Sequence, residues 1–576
     1  MTETSFAYFH GFEFSDQIGE IIAISPDQVV PALKSLERQL ASGLHAAGFV
    51  SYEAAPAINS DLTTCTRGKL PLLHFRLYRT RSRKLQPPCY DLFHTCDWQS
   101  SQEEESFAGA VDTIRELIAA GDCYQVNFTM RQGFSFSGSP RAFFHQLCRR
   151  QPTPYSSYFE SGQHRILSAS PELFFSVKDG VLTTRPMKGT ASRGKSAEKD
   201  ETQKRRLKES PKELAENLMI VDLLRNDMGI VSQTGTVRVA SLFDVETHPT
   251  VHQMTSTIES RLNGDVGPLE LMQALFPCGS VTGAPKRRSM EIIAQREGEP
   301  RGVYTGCLGY FSPGGEALFS VAIRTVVIDL DSGRGEVGVG SGITYDSVGA
   351  EEYAESLSKS LFASQCEAEF HLIESLLHDE NGYFLLDRHL GRLARSAAYF
   401  SFPFEVQRAR HALEAAAPTD AGKYKVRLLL FRDGTLSCEA AGIEDSPADA
   451  VAGFAEATVD SADPFLYHKT SRRSLFASEL GRRPDLAEVI FLNERGEVTE
   501  GANSNVVARV SGVLVTPPVA SGLLPGTFRE ELVANGTVIE RVLTRRELEE
   551  AEEVFLINSV RKWRRARLEI LLKINR

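Results

Sequence analysis

The sequence predicts a mixed chain of two units, α/β and α+β in class. Three observations predict it. The 576 residues exceed what one hydrophobic core organises, so two or three domains are expected. Strand-like and helical runs alternate along the whole length instead of segregating. Near residue 360 the pattern restarts with a new strand, turn and helix. The boundary is placed between Gln365 and Phe370, which gives a shortened N-terminal part at 1–100, a catalytic unit at 101–365 and a second unit at 366–576. No linker rich in Gly, Pro or Ser marks the join.

Each element has a local reason. Ile21–Ile24 and Leu73–Tyr78 are apolar runs of strand length, and Val30–Ala47 has helical spacing. Arg79–Pro88 is basic, ends in two prolines and is expected to be a loop. Ser101–Ala120 is helical, with Glu103, Glu104 and Glu105 placed where negative charge suits a helix N-terminus. Cys123–Arg131 and Phe134–Phe136 are strand-like. Leu173–Val177 and Val181–Thr184 form a hairpin about Asp179-Gly180. Ser192–Lys212 is highly charged and is either a solvated helix or a lid. A helix from Pro211 ends at Asp227-Met228-Gly229, and Val237–Phe243 and Ala317–Ile328 are strands. In the second unit, strands are expected at Phe370–Leu377, Gly382–Leu386, Tyr424–Phe431, Val489–Leu492, Val506–Val510 and Val513–Thr516. A helix is expected at Arg388–Phe400, and Glu547–Asn558 leads into a last strand.

Composition narrows the function. Apolar content of 42% and charged content of 24% are ordinary for a soluble protein. A net charge of -11 argues against nucleic acid as a general partner. Nine cysteines without a CxxC pair argue against zinc and against a disulfide scaffold, and fit a reducing compartment. With no leader-like start and no run of 18 apolar residues, a cytoplasmic enzyme without membrane contact is expected.

Candidate chemistry centres first on Lys188, in Arg185-Pro186-Met187-Lys188-Gly189-Thr190. A lysine beside a glycine after a hairpin is either a surface residue or, in a dry pocket, a nucleophile. Glu352 and Glu355 share a helix face, and Glu216 lies on another acidic helix. Three such carboxylates, if convergent, suit Mg²⁺. Gly338-Val339-Gly340-Ser341-Gly342 lacks the helix start of a dinucleotide site. Gly279 to Lys286 has the wrong spacing for a phosphate loop, although a backbone nest for a carboxylate fits. Arg324, in an apolar strand, is either a rim ion pair or a carboxylate clamp.

Residues about 100 to 360 resemble the chorismate-utilising enzymes. The motifs are Ser170-Pro171-Glu172-Leu173, the Arg185–Thr190 stretch, Glu216–Asp227, Phe276–Lys286, Ala322-Ile323-Arg324-Thr325 and Gly340–Lys359. The resemblance implies that family's fold, large mixed sheets with helices around a central site. Within the family, lysine before Gly-Thr marks aminodeoxychorismate synthase component I, while anthranilate and salicylate synthases carry alanine there. It further implies that Glu216, Glu352 and Glu355 hold Mg²⁺ on the chorismate carboxylate. Lys188 would attack C2 as the 4-hydroxyl leaves, and ammonia would then add at C4. Glu172 would be the acid or base, and His252, Thr282, Tyr304, Arg324, Gly340, Gly342 and Lys359 would surround the substrate. Gln125 stands where salicylate-forming relatives have a water-activating lysine, which suits ammonia. No glutaminase motif is present, so a separate glutamine amidotransferase subunit or free ammonia must supply nitrogen. Gly48–Ala54 resembles the family's N-terminal region.

In the second unit, Lys469 in Tyr467–Arg473, Glu500 in Glu500–Val506 and the glycine turn Leu523–Arg529 suggest a pyridoxal phosphate (PLP) site. Residues 370–565 resemble the fold-type IV PLP enzymes, which include aminotransferases and aminodeoxychorismate lyase. By that resemblance Lys469 forms the Schiff base, Glu500 pairs with the pyridine nitrogen, and Arg392, Gly526 and Thr527 bind phosphate. Arg427 and Asn558 are further cofactor-binding candidates. The segment before Phe370 is short for this family, so its small subdomain is expected to be truncated at the front. Association of two copies through this unit is also expected. The fusion implies successive steps to 4-aminobenzoate, a folate precursor, with elimination of pyruvate in the second. The alternatives are an anthranilate-forming synthase fused to an aminotransferase, and a synthase fused to a non-catalytic scaffold.

Overall fold

The computed structural model describes residues 7–66, 68–83, 91–194, 197–248, 251–364, 370–443 and 449–569. It divides into two compact units. The first comprises Met1–Ser192 and Gln203–Cys366, and the second Arg193–Thr202 and Glu367–Arg576.

In the first unit, eighteen strands among the described residues form one hydrogen-bonded network. Its spine is the pair Gln125–Gly138 and Arg334–Ile343, antiparallel, with Thr129 opposite Gly340 and Asn127 opposite Gly342. Phe128, Met130, Phe134, Val337 and Val339 alternate inward from these strands into one apolar cluster. The strand Met187–Ser192 pairs with Val251–Arg261, and the register slips between Met187 and Thr190. Gly189 in that slip has φ +96°, a conformation that favours glycine. The helix Pro211–Val231 begins with Ser210 accepting from the Glu213 amide and proline in the first turn. It buries Ile220, Val221 and Leu224 against the core. The helix Gly349–Ser358 carries Glu352 and Glu355.

Several expected elements differ. The first helix is Pro26–Ala41, not Val30–Ala47; the chain turns at Ser42-Gly43, with Gly43 at φ +91°, and His45–Val50 is a strand. The two strand-like runs after Cys123 are one strand, Gln125–Gly138. The run Ala317–Ile328 is two strands, Glu316–Val321 and Thr325–Asp329, separated by Arg324 at φ +50°. The first pairs with Leu173–Lys178 and the second with His164–Ser170, so the chain changes partners at Arg324. The charged run after Ser192 contains the helix Ala197–Glu209. Its start packs in the second unit, where the Arg193 guanidinium holds Asp200 at 2.8 and 2.9 Å and donates to the Tyr399 carbonyl at 3.0 Å.

The second unit has two sheets. Gly382–Tyr383, Leu372–Asp379, Tyr424–Leu430 and Leu436–Gly442 form an antiparallel sheet of four. The helices Leu386–Phe400 and Val406–Ala415 share its core through Leu390, Leu393, Ala397, Ala409 and Leu413. The strand expected over Gly382–Leu386 stops at Tyr383, because Leu385 takes φ +54° and the helix starts at Leu386. An eight-stranded sheet completes the unit and includes Val498–Gly501, Asn505–Val510, Glu553–Asn558 and Lys562–Leu568. Within Glu547–Asn558, the first residues close the helix Arg545–Glu549 before the strand begins. Lys469 is fixed by its backbone, its carbonyl accepting from the Ile373 amide at 2.9 Å. No helix of the described residues is long and apolar enough to cross a membrane.

Candidate active sites

The first unit encloses a cavity of about 240 Å³. Lys188, Glu172, Glu216, Tyr304, Arg324, Gly340, Gly342, Glu352, Glu355 and Lys359 all line it. Lys188 is positioned from behind. Its carbonyl accepts from the Asn217 amide at 3.1 Å, and Asn217 accepts from the Ser256 hydroxyl at 2.6 Å. Glu172 is buried and accepts from the Ser280 hydroxyl at 2.6 Å. Burial pushes its carboxyl up to about 7, against the opposing pull of Ser280 and Lys188. It can therefore carry or release a proton near neutral pH. Lys359 donates to the Gly340 carbonyl at 2.9 Å and pairs with Glu355 at 2.7 Å, while Arg324 donates to the Lys359 carbonyl. The glycines of the Gly338–Gly342 run make room. A β-carbon at Gly342 would lie 2.3 Å from the Gln125 amide nitrogen and 3.1 Å from the Lys188 amine. The run is thus a strand forming one wall, and the buried Gln125 amide behind it has no hydrogen-bond partner among the described residues.

His252 and Thr282 are not among the lining residues. His252 is buried with its Nδ1 3.2 Å from the Thr247 hydroxyl, and the Thr282 hydroxyl donates to the Gly279 carbonyl at 3.2 Å. Their neighbours Gln253, Ser280 and Val281 face the cavity instead, as do Lys212 and Glu213. Alternation along the Val251–Arg261 strand offered Gln253 as the opposite-face partner of His252.

Mg²⁺ fits this donor set in type but not in spacing. Glu216, Glu352 and Glu355 line one cavity, and burial raises the Glu216 carboxyl against the pull of Lys188 and Lys212. Among the described residues no three acidic groups are close enough to hold an ion, and Glu355 is taken by Lys359.

The second unit encloses a cavity of about 590 Å³ lined by Lys469, Glu500, Arg392, Gly526, Thr527 and Asn558. Burial, then the charges of Arg473 and Arg392, push the Lys469 amine down to about 7. Burial pushes Glu500 up to about 7, and its Oε1 is buried without a partner among the described residues. A buried polar atom left open is costly unless a ligand completes it. Gly526 precedes the helix Thr527–Ala534 and admits no side chain, since a β-carbon there would meet Asn505 Oδ1 at 2.0 Å. Arg392 donates to Glu374 at 2.9 and 2.7 Å and to the Pro525 carbonyl at 3.0 Å. Glu374 also meets His389 at 2.6 Å, whose other nitrogen lies 3.1 Å from the Thr527 hydroxyl. This network sets the helix N-terminus where backbone amides face an anion. An amine of lowered basicity, an open carboxylate oxygen and an amide-lined turn together fit PLP. Arg427 does not line the cavity; it sits opposite Ser375 and Glu439 in the small sheet. Glu374 was open to notice as a lone carboxylate in the apolar Leu372–Leu377 run. Glu488, also raised to about 7 by burial, showed no signal before folding.

Comparison with known proteins matches both units. Residues 86–364 match the chorismate binding enzyme family, and residues 371–568 match the class IV aminotransferases. The chain joins a chorismate-binding domain to an aminotransferase-fold domain. Over 267 residues it is 40% identical to aminodeoxychorismate synthase component 1 of Klebsiella aerogenes, covering 46% of this chain and 58% of that protein. It is 38% identical over 263 residues to anthranilate synthase component 1 of Pseudomonas putida, covering 46% of this chain and 53% of that protein. The chain thus spans little more than half the length of these relatives. The crystal structure of anthranilate synthase component I from Streptococcus pneumoniae TIGR4 superposes with a TM-score of 0.55 at 28% identity, over 63% of this chain and 93% of that one. The chorismate-binding domain therefore holds the Lys188 cavity, and the aminotransferase-fold domain holds the Lys469 cavity.

Proposed function

We propose that the chorismate-binding domain converts chorismate and ammonia to 4-amino-4-deoxychorismate, and that the aminotransferase-fold domain eliminates pyruvate from that product to leave 4-aminobenzoate. The observation that carries this reading is the amine of Lys188 in the same cavity as the buried acid Glu172. Near-equal identity to both synthase types does not separate them. A nucleophilic amine in the cavity favours the 4-amino route, because it can take C2 while ammonia adds at C4.

Lys188 attacks the ring, and Glu172, with its proton held near pH 7, donates to the departing 4-hydroxyl. Ammonia adds at C4 and the lysine is expelled. Arg324 offers a planar donor fork to a substrate carboxylate. Glu216, Glu352 and Glu355 supply the oxygen donor type that Mg²⁺ takes, and an ion held there would neutralise the ring carboxylate. Ammonia reaches the site from a separate glutaminase subunit or from solution.

In the second domain Arg392, Gly526 and Thr527 would hold the cofactor phosphate, and Glu500 would meet the ring nitrogen through its open oxygen. PLP, when bound, supplies the electron sink. Lys469, with its amine pushed down to about 7, takes the substrate proton and returns it as pyruvate departs.

The test supplies chorismate, ammonia and Mg²⁺ to the PLP-loaded protein and identifies the products by mass spectrometry. The reading expects 4-aminobenzoate and pyruvate. Formation of 2-aminobenzoate instead would overturn it.

A further inference from the structure

Lys469 and Glu500 lie on separate segments of the second unit, and one side chain joins those segments. Arg473 follows Lys469 by four positions and lines the same cavity. Its backbone is fixed at the start of the helix Ser474–Arg482, where its carbonyl accepts from the Ala477 amide at 2.9 Å. Its guanidinium lies over the Phe476 ring at 4.3 Å and donates to the Ala502 carbonyl at 2.7 Å. Ala502 belongs to the turn directly after Glu500, which the Gly501 amide closes on the Ser504 carbonyl at 2.7 Å. Glu488 holds the same turn, accepting from the Asn503 amide at 3.2 Å and from the Ser504 hydroxyl at 3.0 Å. The spacing of Lys469 from Glu500 is therefore tied through the Arg473 side chain.

The same contact places a charge. The Ala502 carbonyl is neutral, so it orients the guanidinium without cancelling it. The second cation that acts on Lys469, Arg392, is matched by the Glu374 carboxylate at 2.9 and 2.7 Å. Glu374 and Glu500 pull the amine the other way, and His389 is held by Glu374. After burial, Arg473 is the first influence on Lys469 and on Glu500 alike. A fixed positive charge opposes a proton on either group, so one residue favours a neutral amine and an ionised carboxylate together. Those are the forms that attack a carbonyl carbon and face a protonated ring nitrogen.

We infer that Arg473 is a positioning residue of this site: it ties the Lys469 segment to the turn after Glu500 and keeps a positive charge beside both proton-binding groups. The inference rests on the cofactor reading above and goes beyond it, since that reading gives Arg473 no part.

The experiment uses the full-length protein without PLP. Lys469 is acetylated with trace acetic anhydride across a range of pH, and its labelled fraction is read by peptide mass spectrometry. Only the unprotonated amine reacts, so the profile reports the proton affinity of Lys469. The midpoint is expected at about 7 in the unmodified protein. Arg473→Gln keeps an N–H donor and loses the charge. Its midpoint should rise by about one pH unit, with about tenfold less labelling at neutral pH. Arg473→Lys keeps the charge and should hold the midpoint to within about 0.3 of a pH unit. A loss of packing alone would move both variants alike. Arg473→Met packs on Phe476 but has neither donor nor charge, and it decides the question if Arg473→Gln does not fold. It should raise the midpoint in the same way and weaken PLP binding, read by the visible band, about tenfold. A midpoint unmoved in the neutral variants, a midpoint moved equally in Arg473→Lys, or unchanged PLP affinity in Arg473→Met overturns the inference. A midpoint that moves as expected in a protein that forms no visible band with PLP sinks the cofactor reading and leaves the charge of Arg473 in place. A visible band with an unmoved midpoint does the reverse.

Discussion

The two cavities each present a lysine, and their surroundings are opposite in charge. Five carboxylates and four cations line the Lys188 cavity, whereas two carboxylates and six cations line the Lys469 cavity. The first suits a ligand that arrives with a metal ion or an amine, the second one that brings phosphate and carboxylates. The supporting shells differ too. Lys188 is held through its carbonyl by a neutral relay, Asn217 to Ser256, on a strand whose register slips. Lys469 sits beside a relay in which the Glu374 carboxylate pairs with Arg392 and meets His389, whose proton affinity burial lowers. The same residue type therefore meets a different electrostatic setting in each cavity.

The largest expected effects separate the two lysines. Lys469→Ala should abolish the visible cofactor band and stop 4-aminobenzoate formation by about a thousandfold or more, while chorismate consumption continues. Lys188→Ala should cut chorismate consumption by about a thousandfold and leave the visible band intact. If Lys188→Ala also stopped elimination from added 4-amino-4-deoxychorismate, or Lys469→Ala stopped chorismate consumption, the two sites would not be independent. Next in size, Glu172→Gln should lower the first step by about a hundredfold or more. The acid form of Glu172 is lost as pH rises through about 7, so the first rate should fall above neutrality in the parent, and that limb should vanish in the variant.

The charged relay should show itself in stability. Glu374 is held down to about 2 by Arg392 and His389 despite burial. Its contribution is present above the ordinary carboxylate range, near pH 5, and is lost as pH falls toward 2. Glu374→Gln leaves Arg392 buried and uncompensated and should cost about 3–5 kcal/mol, read by denaturant unfolding of the second domain. Smallest is Gly342→Ala. Its β-carbon would displace Gln125 and crowd the Lys188 amine, at about 1–3 kcal/mol of strain, read as a moderate loss of kcat/KM in the first step alone.

The two-domain order, most strands and the long motifs were legible in the residues, because alternation and turn chemistry are local properties. Ten residues that line the first cavity were named from the family resemblance, nine of them within its motifs, while Tyr304 lies outside those motifs. His252 and Thr282 could not be told from their neighbours Gln253 and Ser280. Which of two adjacent side chains meets the cavity depends on strand register, and register is set by pairing with distant strands. Arg324 illustrates the same limit, since its place in an apolar run hid the break that turns it inward. The charge balance of each cavity was decided only on folding. Lys425 and Arg564 are 139 positions apart, yet they line one cavity because strands of two different sheets converge there. The sequence alone determined which chemical groups exist and how each short segment bends. Tertiary structure determined which groups lose water together, and that loss sets proton affinity and the sign of charge a ligand meets.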